Sequence, residues 1–329
     1  MDIDIKSPFW SPAGASGFIL DWDGVIAETR LDFTPLREKY YGGRRAMLLE
    51  EAHTLAPERR EEFFAELVAL EMAGAEKAEP VEGARELLAW LNENGVPYCV
   101  VSRNCMEVIK RGAGVIGVEL PEKTWGRDNS AWVKPDPRAL YAAAEAIGAD
   151  ARRCVYVGDF LYDLQGARRA GMRAVLVQRE NPEWGAWADV MYPKMTDLVA
   201  ELREPKPLVP WEYREIYARK SEHWLVNASA LTFALPADPS PTIDCWLARA
   251  AALGVGKIFI EPERTLSPDD WKKSPSLDPA YMGLPLHEAA RRFLAPRFPL
   301  AEVVTECEEP LNAPKNSLDL QRYLERKKI

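Results

Sequence analysis

Histidine and cysteine are scarce in this 329-residue chain, which has three of the first and five of the second. His53, His223 and His287 stand apart, without the spacing of metal ligands, and receive no role. Cys99, Cys105, Cys154, Cys245 and Cys307 are odd in number and form no C-x-x-C pair. That usage excludes a disulfide scaffold and fits a reducing compartment. No apolar run approaches the roughly 20 residues of a membrane-spanning helix. The opening MDIDIKSPFW is acidic and too poor in apolar residues for a signal peptide. A cytoplasmic protein with no membrane partner is expected. Positive charge is also in deficit, with 42 Lys and Arg against 51 Asp and Glu and a net charge of -9. Nucleic acid is therefore not an expected partner, because a phosphate backbone demands basic surface. The one basic cluster, QRYLERKK from residue 321, reads as a solvated helix end. No internal repeat is present.

What remains is an alternation of helix and strand. Residues 18–22 read as a buried strand that runs into two acids, Asp21 and Asp23. Residues 31–79 then turn helical, with no strand signal. TPLREKYYGG predicts a helix capped by Thr34 and stopped at Gly42-Gly43. In EEFFAELVALEMA, Phe63, Phe64, Leu67, Val68 and Leu70 share one face, with Glu61, Glu62, Glu66 and Glu71 expected on the solvated side. From Pro80 strands and helices alternate: GARELLAWLNENG, VPYCVVS, DPRALYAAAEAIG, RCVYVGD, DLQGARRAG and MRAVLVQ. This pattern predicts an α/β fold, a Rossmann-like doubly wound parallel sheet interrupted by the helical segment. Ligands of such sheets bind beyond the carboxyl ends of the strands, where Asp21, Ser102 and Asp159 fall. EPKPLVP, 204–210, reads as a linker. Residues 211–329 predict a further small α/β domain, with an irregular stretch between Glu261 and Leu286. Of the eleven tryptophans, Trp184, Trp187, Trp211, Trp224, Trp246 and Trp271 are expected mostly to seat this second domain on the first.

Side chains alternate along a strand, so Asp21 and Asp23 face one target while Trp22 points away. Two carboxylates so close repel unless a cation or proton lies between them. Mg²⁺ suits the pair because it takes oxygen ligands and substrate phosphate together. Taken alone, D-x-D-G also fits a turn or a calcium-like loop. VYVGDFLYD repeats the arrangement with Asp159 at a strand exit and Asp163 four residues on; Asp163 also suits a helix N-terminus. Between the two acid pairs stand Ser102, closing VVS, and Lys134, in WVKPDP. In this order the residues form a set of nucleophile, hydroxyl donor, fixed cation and metal-binding acids.

The set resembles the haloacid dehalogenase superfamily. Its first motif matches Asp21-Trp22-Asp23-Gly24-Val25, its second Ser102, its third Lys134 and its fourth Asp159 and Asp163. The resemblance spans roughly residues 17–200 and implies a catalytic core over 1–27 and 81–203 with a small helical cap over 28–80. It implies that Asp21 attacks phosphorus while Asp23 moves the proton. Mg²⁺ would lie between Asp21, the main-chain carbonyl of Asp23 and Asp159, with Asp163 close by. Ser102, Lys134 and the Trp22 N–H would hold substrate phosphate, and Arg103, directly after Ser102, is a candidate to touch phosphate or the cap. An acid at position 23 favours phosphoryl transfer over dehalogenation, and hence a phosphatase acting on a small phosphorylated metabolite. A sugar phosphomutase on the same core, and a binding module whose C-terminal domain recognises a partner, are the alternatives. Arg37, Arg44 and Arg45 are candidate readers of an anionic substrate, though surface charge is the preferred reading of all three. Oligomeric state and substrate identity are not written in these residues.

Overall fold

A computed structural model describes residue 5 and residues 8–327; most of MDIDIKS, and Lys328 in the basic end, lie outside the described residues. The apolar run predicted as the first strand forms β1 (Gly17–Leu20), buried along its whole length. It ends one step before Asp21. Around it pair β4 (Tyr98–Val101), β5 (Thr124–Trp125), β6 (Cys154–Gly158), β7 (Arg173–Val177) and β8 (Val190–Tyr192). The order is β5-β4-β1-β6-β7-β8 with every pairing parallel. Ile19 lies between Cys99 and Tyr156, and Leu20 between Val100 and Val157. The chain leaves β1 towards β4 and later returns to its other side at β6, so the order reverses at β1. The crevice of a doubly wound sheet opens at that reversal.

Helices cover both faces, as the near-continuous apolar strands require. Phe18, Leu20, Val100 and Val157 pack under α4 (Ala84–Glu93), α5 (Met106–Ile116) and α8 (Met195–Arg203). Ile19, Cys99, Val101 and Tyr156 pack under α6 (Pro137–Ala146) and α7 (Leu161–Arg169). The helical segment is built from α1 (Thr34–Tyr41), α2 (Leu48–Glu51) and α3 (Pro57–Ala75). Its own small core joins Leu36, Tyr40, Tyr41, Phe63 and Leu67.

The segment's two crossings to the sheet pair as an antiparallel ribbon of β2 (Ala27–Glu28) and β3 (Glu79–Pro80), at the margins of the stretch expected to lack strand. Two expectations for this segment are corrected. Thr34 begins α1 rather than capping it, and its N–H is accepted instead by the Asp32 carboxylate at 2.9 Å. Glu71 is not solvated: with 3% exposure it continues the buried stripe of Phe63 and Leu67.

Beyond the linker lie α9 (Arg214–Arg219), α10 (Glu222–Ser229), β9 (Thr232–Ala234), α11 (Ile243–Ala252) and β10 (Lys257–Phe259). They are followed by α12 (Pro268–Lys273), α13 (Leu286–Leu294), β11 (Glu302–Val304), β12 (Leu311–Asn312) and α14 (Leu320–Arg326). Four parallel strands form a second sheet in the order β11-β10-β9-β12. The stretch expected to be irregular contains α12, because Pro268 starts the helix and Ser267 and Asp270 cap it reciprocally. The tryptophans do not mainly seat one sheet on the other. Trp224 and Trp246 are buried in the second core with Trp271 against it, and Trp184 and Trp187 flank the first. At the junction, charge does that work. Arg173 is bidentate to Glu212, at 2.7 and 3.1 Å, and reaches Asp189 at 3.0 Å. Arg168 pairs with Asp189 at 2.8 Å and stacks on Trp211.

Candidate active site

The end of β1 aims Asp21 into the crevice. Its backbone N–H donates to the Val157 carbonyl at 2.9 Å, continuing the ladder with β6. Lys134 Nζ reaches the Asp21 carboxylate at 2.8 Å and the Asp163 carboxylate at 2.8 Å. The lysine is fully buried, held also by the Tyr156 hydroxyl. Burial works against its ammonium, but the carboxylates of Asp163 and Asp21 outweigh that and raise its pKa. Burial and the charge of Asp163 push Asp21 up, and Lys134 opposes them.

Asp23 occupies different surroundings. One carboxylate oxygen accepts the Thr29 hydroxyl and the other accepts Asn104 Nδ2 at 2.6 Å. Burial pushes its pKa up to about 6 against these two hydrogen bonds. Two carboxyls two residues apart are thus kept chemically distinct, one ion-paired and one poised near neutrality.

Trp22, between them, is fully buried in the core beneath, and its N–H donates to the Asp21 carboxylate at 2.7 Å. Gly24 turns the chain with φ of 69°, and an added Cβ there would lie 2.1 Å from Asp159 Oδ2. Only glycine lets the first loop approach that carboxylate.

Asp159 closes β6, and Asp163 sits in the first turn of α7, where it also accepts the Phe160 N–H at 3.1 Å. Oxygens of Asp21, Asp159 and Asp163 lie within 4.8 Å of one another. The Asp23 carboxylate is outside this group, so any share of Asp23 in a metal site falls to its main-chain carbonyl. Burial, then the Asp163 charge, pushes Asp159 up to about 7. Three clustered carboxylates against the buried Lys134 and the more exposed Arg179 still leave negative charge that a hard divalent cation offsets, and an all-oxygen donor set fits Mg²⁺. The resemblance rests on the same residues.

Ser102 follows β4 with its N–H on the Trp125 carbonyl, and its hydroxyl oxygen accepts the Asn104 N–H at 3.1 Å. Its own O–H is left to donate. Arg103, expected on phosphate or on the helical segment, is bidentate to Glu50 of α2 at 2.7 and 2.9 Å. It ties the helical segment to the sheet.

A cavity of about 740 Å³ opens above Asp21 and Asp23. Sequence reasoning missed several of its polar residues. Arg179 pairs with Asp159 at 2.9 Å; its signal was a position just past β7, one more strand exit. Glu71 lines the cavity and pairs with Arg127 at 2.8 Å. Thr29 left no signal, because the loop after Gly24 alone brings it to Asp23.

The model of "haloacid dehalogenase-like hydrolase" matches residues 15–171. Residues 15–171 are thus similar to the haloacid dehalogenase-like hydrolases. Several of the relatives are named phosphatases. A pyrophosphatase of Halalkalibacterium halodurans is 29% identical over 175 residues, 48% of this chain and 81% of that protein. Hexitol phosphatase A of Escherichia coli is 26% identical over 181 residues, 49% of this chain and 82% of that one. A solved hydrolase from Pseudomonas syringae covers 58% of this chain and 99% of its own, with TM-score 0.50 and 20% identity. The family match ends at residue 171, so the second sheet lies outside it. Among the described residues no helix is long and apolar enough to cross a membrane.

Proposed function

We propose that this protein is a Mg²⁺-dependent phosphatase that takes phosphate from a small phosphorylated metabolite through Asp21. The observation that carries the reading is the division of labour between two neighbouring carboxyls. Asp21 is ion-paired to Lys134, whereas Asp23 is held apart by Thr29 and Asn104 with its pKa near 6. The first suits a nucleophile and the second a general acid.

An Asp21 oxygen attacks phosphorus and the bond to the ester oxygen breaks, leaving an aspartyl-phosphate. Asp23 gives its proton to the departing oxygen, then takes one from the water that attacks the intermediate and restores Asp21. Lys134 orients Asp21 and offsets charge developing on the phosphoryl oxygens, while the Ser102 hydroxyl and the Trp22 N–H donate to them. Asp21, Asp159, Asp163 and the Asp23 carbonyl would hold Mg²⁺, which supplies screening between carboxylate and phosphate when bound. Residues 1–27 and 81–203 form the catalytic core in this reading and 28–80 the cap. Residues 204–210 are the linker and 211–329 a C-terminal α/β unit.

The test is phosphate release over a panel of sugar, nucleotide and glycolate phosphates, with Asp21→Asn as control. Asp21→Asn is expected to lose turnover by about 1,000-fold or more, as loss of a covalent nucleophile does. Equal turnover by that variant would overturn the reading.

A further inference from the structure

Four arginines line the cavity above Asp21: Arg30, Arg37, Arg103 and Arg179. Three are committed to carboxylates, Arg30 to Glu79 at 2.6 Å, Arg103 to Glu50 at 2.7 Å and Arg179 to Asp159 at 2.9 Å. Arg37 has no carboxylate within 4 Å among the described residues, and its Nε is buried without a hydrogen-bond partner. It sits in the first turn of α1, next to Leu36, which is buried in the core of the cap. Its guanidinium lies 5.9 Å from the centre of the Phe33 ring, another wall of the cavity. Asp32 also lines the cavity but is engaged by the hydroxyl and N–H of Thr34. A buried, unpaired guanidinium donor is costly to leave unmade, and its fork matches carboxylate or phosphate oxygens.

We propose that Arg37 selects the substrate by binding a second anionic group, a carboxylate or a phosphate, on the leaving group. The proposal rests on the phosphatase reading of the same cavity. The substrate class is then a small phosphate ester or anhydride with a negative charge beyond the transferred phosphoryl. The cap supplies the cation for that charge, and the end of β1 supplies the chemistry for the phosphoryl. Discrimination follows because a neutral leaving group leaves the guanidinium unpaired.

The experiment measures kcat and KM for phosphoglycolate, inorganic pyrophosphate and glycerol phosphate, in the full chain and in Arg37→Gln and Arg37→Lys. Phosphoglycolate and pyrophosphate separate a carboxylate from a phosphate as the second anion. Arg44→Gln is the control, a cap arginine outside the cavity and paired with Glu51. The preference for the better anionic substrate over glycerol phosphate, as a ratio of kcat/KM, is expected to fall about tenfold or more in Arg37→Gln, mostly through KM. Arg37→Lys is expected to fall less, because it keeps the charge and loses the fork. The ratio is expected to hold in Arg44→Gln. An unchanged ratio in Arg37→Gln, an equal fall in Arg44→Gln, or a wild-type preference for glycerol phosphate overturns the role of Arg37. Wild-type chain inert towards all three, and towards the wider panel, overturns the phosphatase reading instead.

Discussion

Replacing Glu212 by Gln changes no volume and tests what joins the two sheets. Glu212 and Asp189 are the two carboxylates on Arg173 and Arg168, and the side chains of all four are at most 6% exposed. The cluster is neutral as it stands. Burial opposes the Arg173 charge, but Glu212 and Asp189 outweigh it and hold its pKa above the usual arginine value. An amide at 212 leaves two guanidinium groups sharing Asp189, and one amide NH₂ faces a guanidinium N–H. Breaking a buried pair from one side costs about 3–5 kcal/mol, against about 1 kcal/mol for an ordinary hydrogen bond. Because Asp189 stays between both arginines, about 3 kcal/mol is the expected loss. The assay is urea unfolding at pH 7, at low salt and at 1 M NaCl. The buried loss is expected to persist in salt, whereas Lys257→Gln, breaking an exposed 3.9 Å pair with Glu302, is expected to change little. A loss below about 0.5 kcal/mol for Glu212→Gln would refute the reasoning, since it equals that of a surface pair. The same cluster predicts the outcome of cutting the chain after residue 204. Glu212 and Trp211 leave together, so the shortened chain is expected to unfold at lower urea whatever its turnover.

Thr29→Val removes one of the two donors to the Asp23 carboxylate. The ionised form loses support, so the pKa rises from about 6, by up to about one unit. Leaving-group protonation needs the acid, so the limb of kcat that falls with rising pH is expected to move upward; an unmoved limb counts against Asp23 as the proton donor. Asp23→Asn tests the same shift through stability. A carboxyl with its folded pKa above its unfolded value favours folding below about pH 4 and loses that contribution as pH rises through about 6. In metal-free buffer the variant is therefore expected to gain on the wild type between those pH values, by about 1 kcal/mol or more, read by urea unfolding. Gly24→Ala drives a Cβ to 2.1 Å from Asp159 Oδ2. It is expected to lower phosphate release about 100-fold and to weaken Mn²⁺ binding by calorimetry, as displacement of one ligand does. Gly42→Ala, where an added Cβ meets nothing, is expected to cost only about 1 kcal/mol for its positive φ.

The first sheet and its four acids were legible because strand exits in a parallel sheet are where chemistry collects. The apolar runs ending at Leu20, Val101 and Gly158 marked those exits directly. The two-residue strands β5 and β12 were not legible, because periodicity needs more residues than they contain. Glu71 is more instructive. The stripe Phe63, Leu67, Glu71 and Ala75 has helical spacing and is buried throughout, so position alone indicated burial while charge indicated solvent. Arg127, distant in sequence, reverses the usual preference by pairing with it. Arg103 is a different case. Its place after Ser102 left phosphate and the helical segment both open as partners, and Glu50, in a helix 53 residues away, is the one it pairs with.

The charged junction also links the second sheet to the candidate site. Helix α7 begins with Asp163 in its first turn and carries Arg168 near its end, about 8 Å along the axis. Strand β7 begins with Arg173 and ends just before Arg179, which pairs with Asp159. Each element therefore presents one end to the carboxylate cluster and the other to Glu212, Trp211 or Asp189. Close-packed elements transmit displacement rather than absorb it, and small errors in the placing of reacting groups are costly in rate. Seating the second sheet thus fixes the far ends of two elements whose near ends define the site.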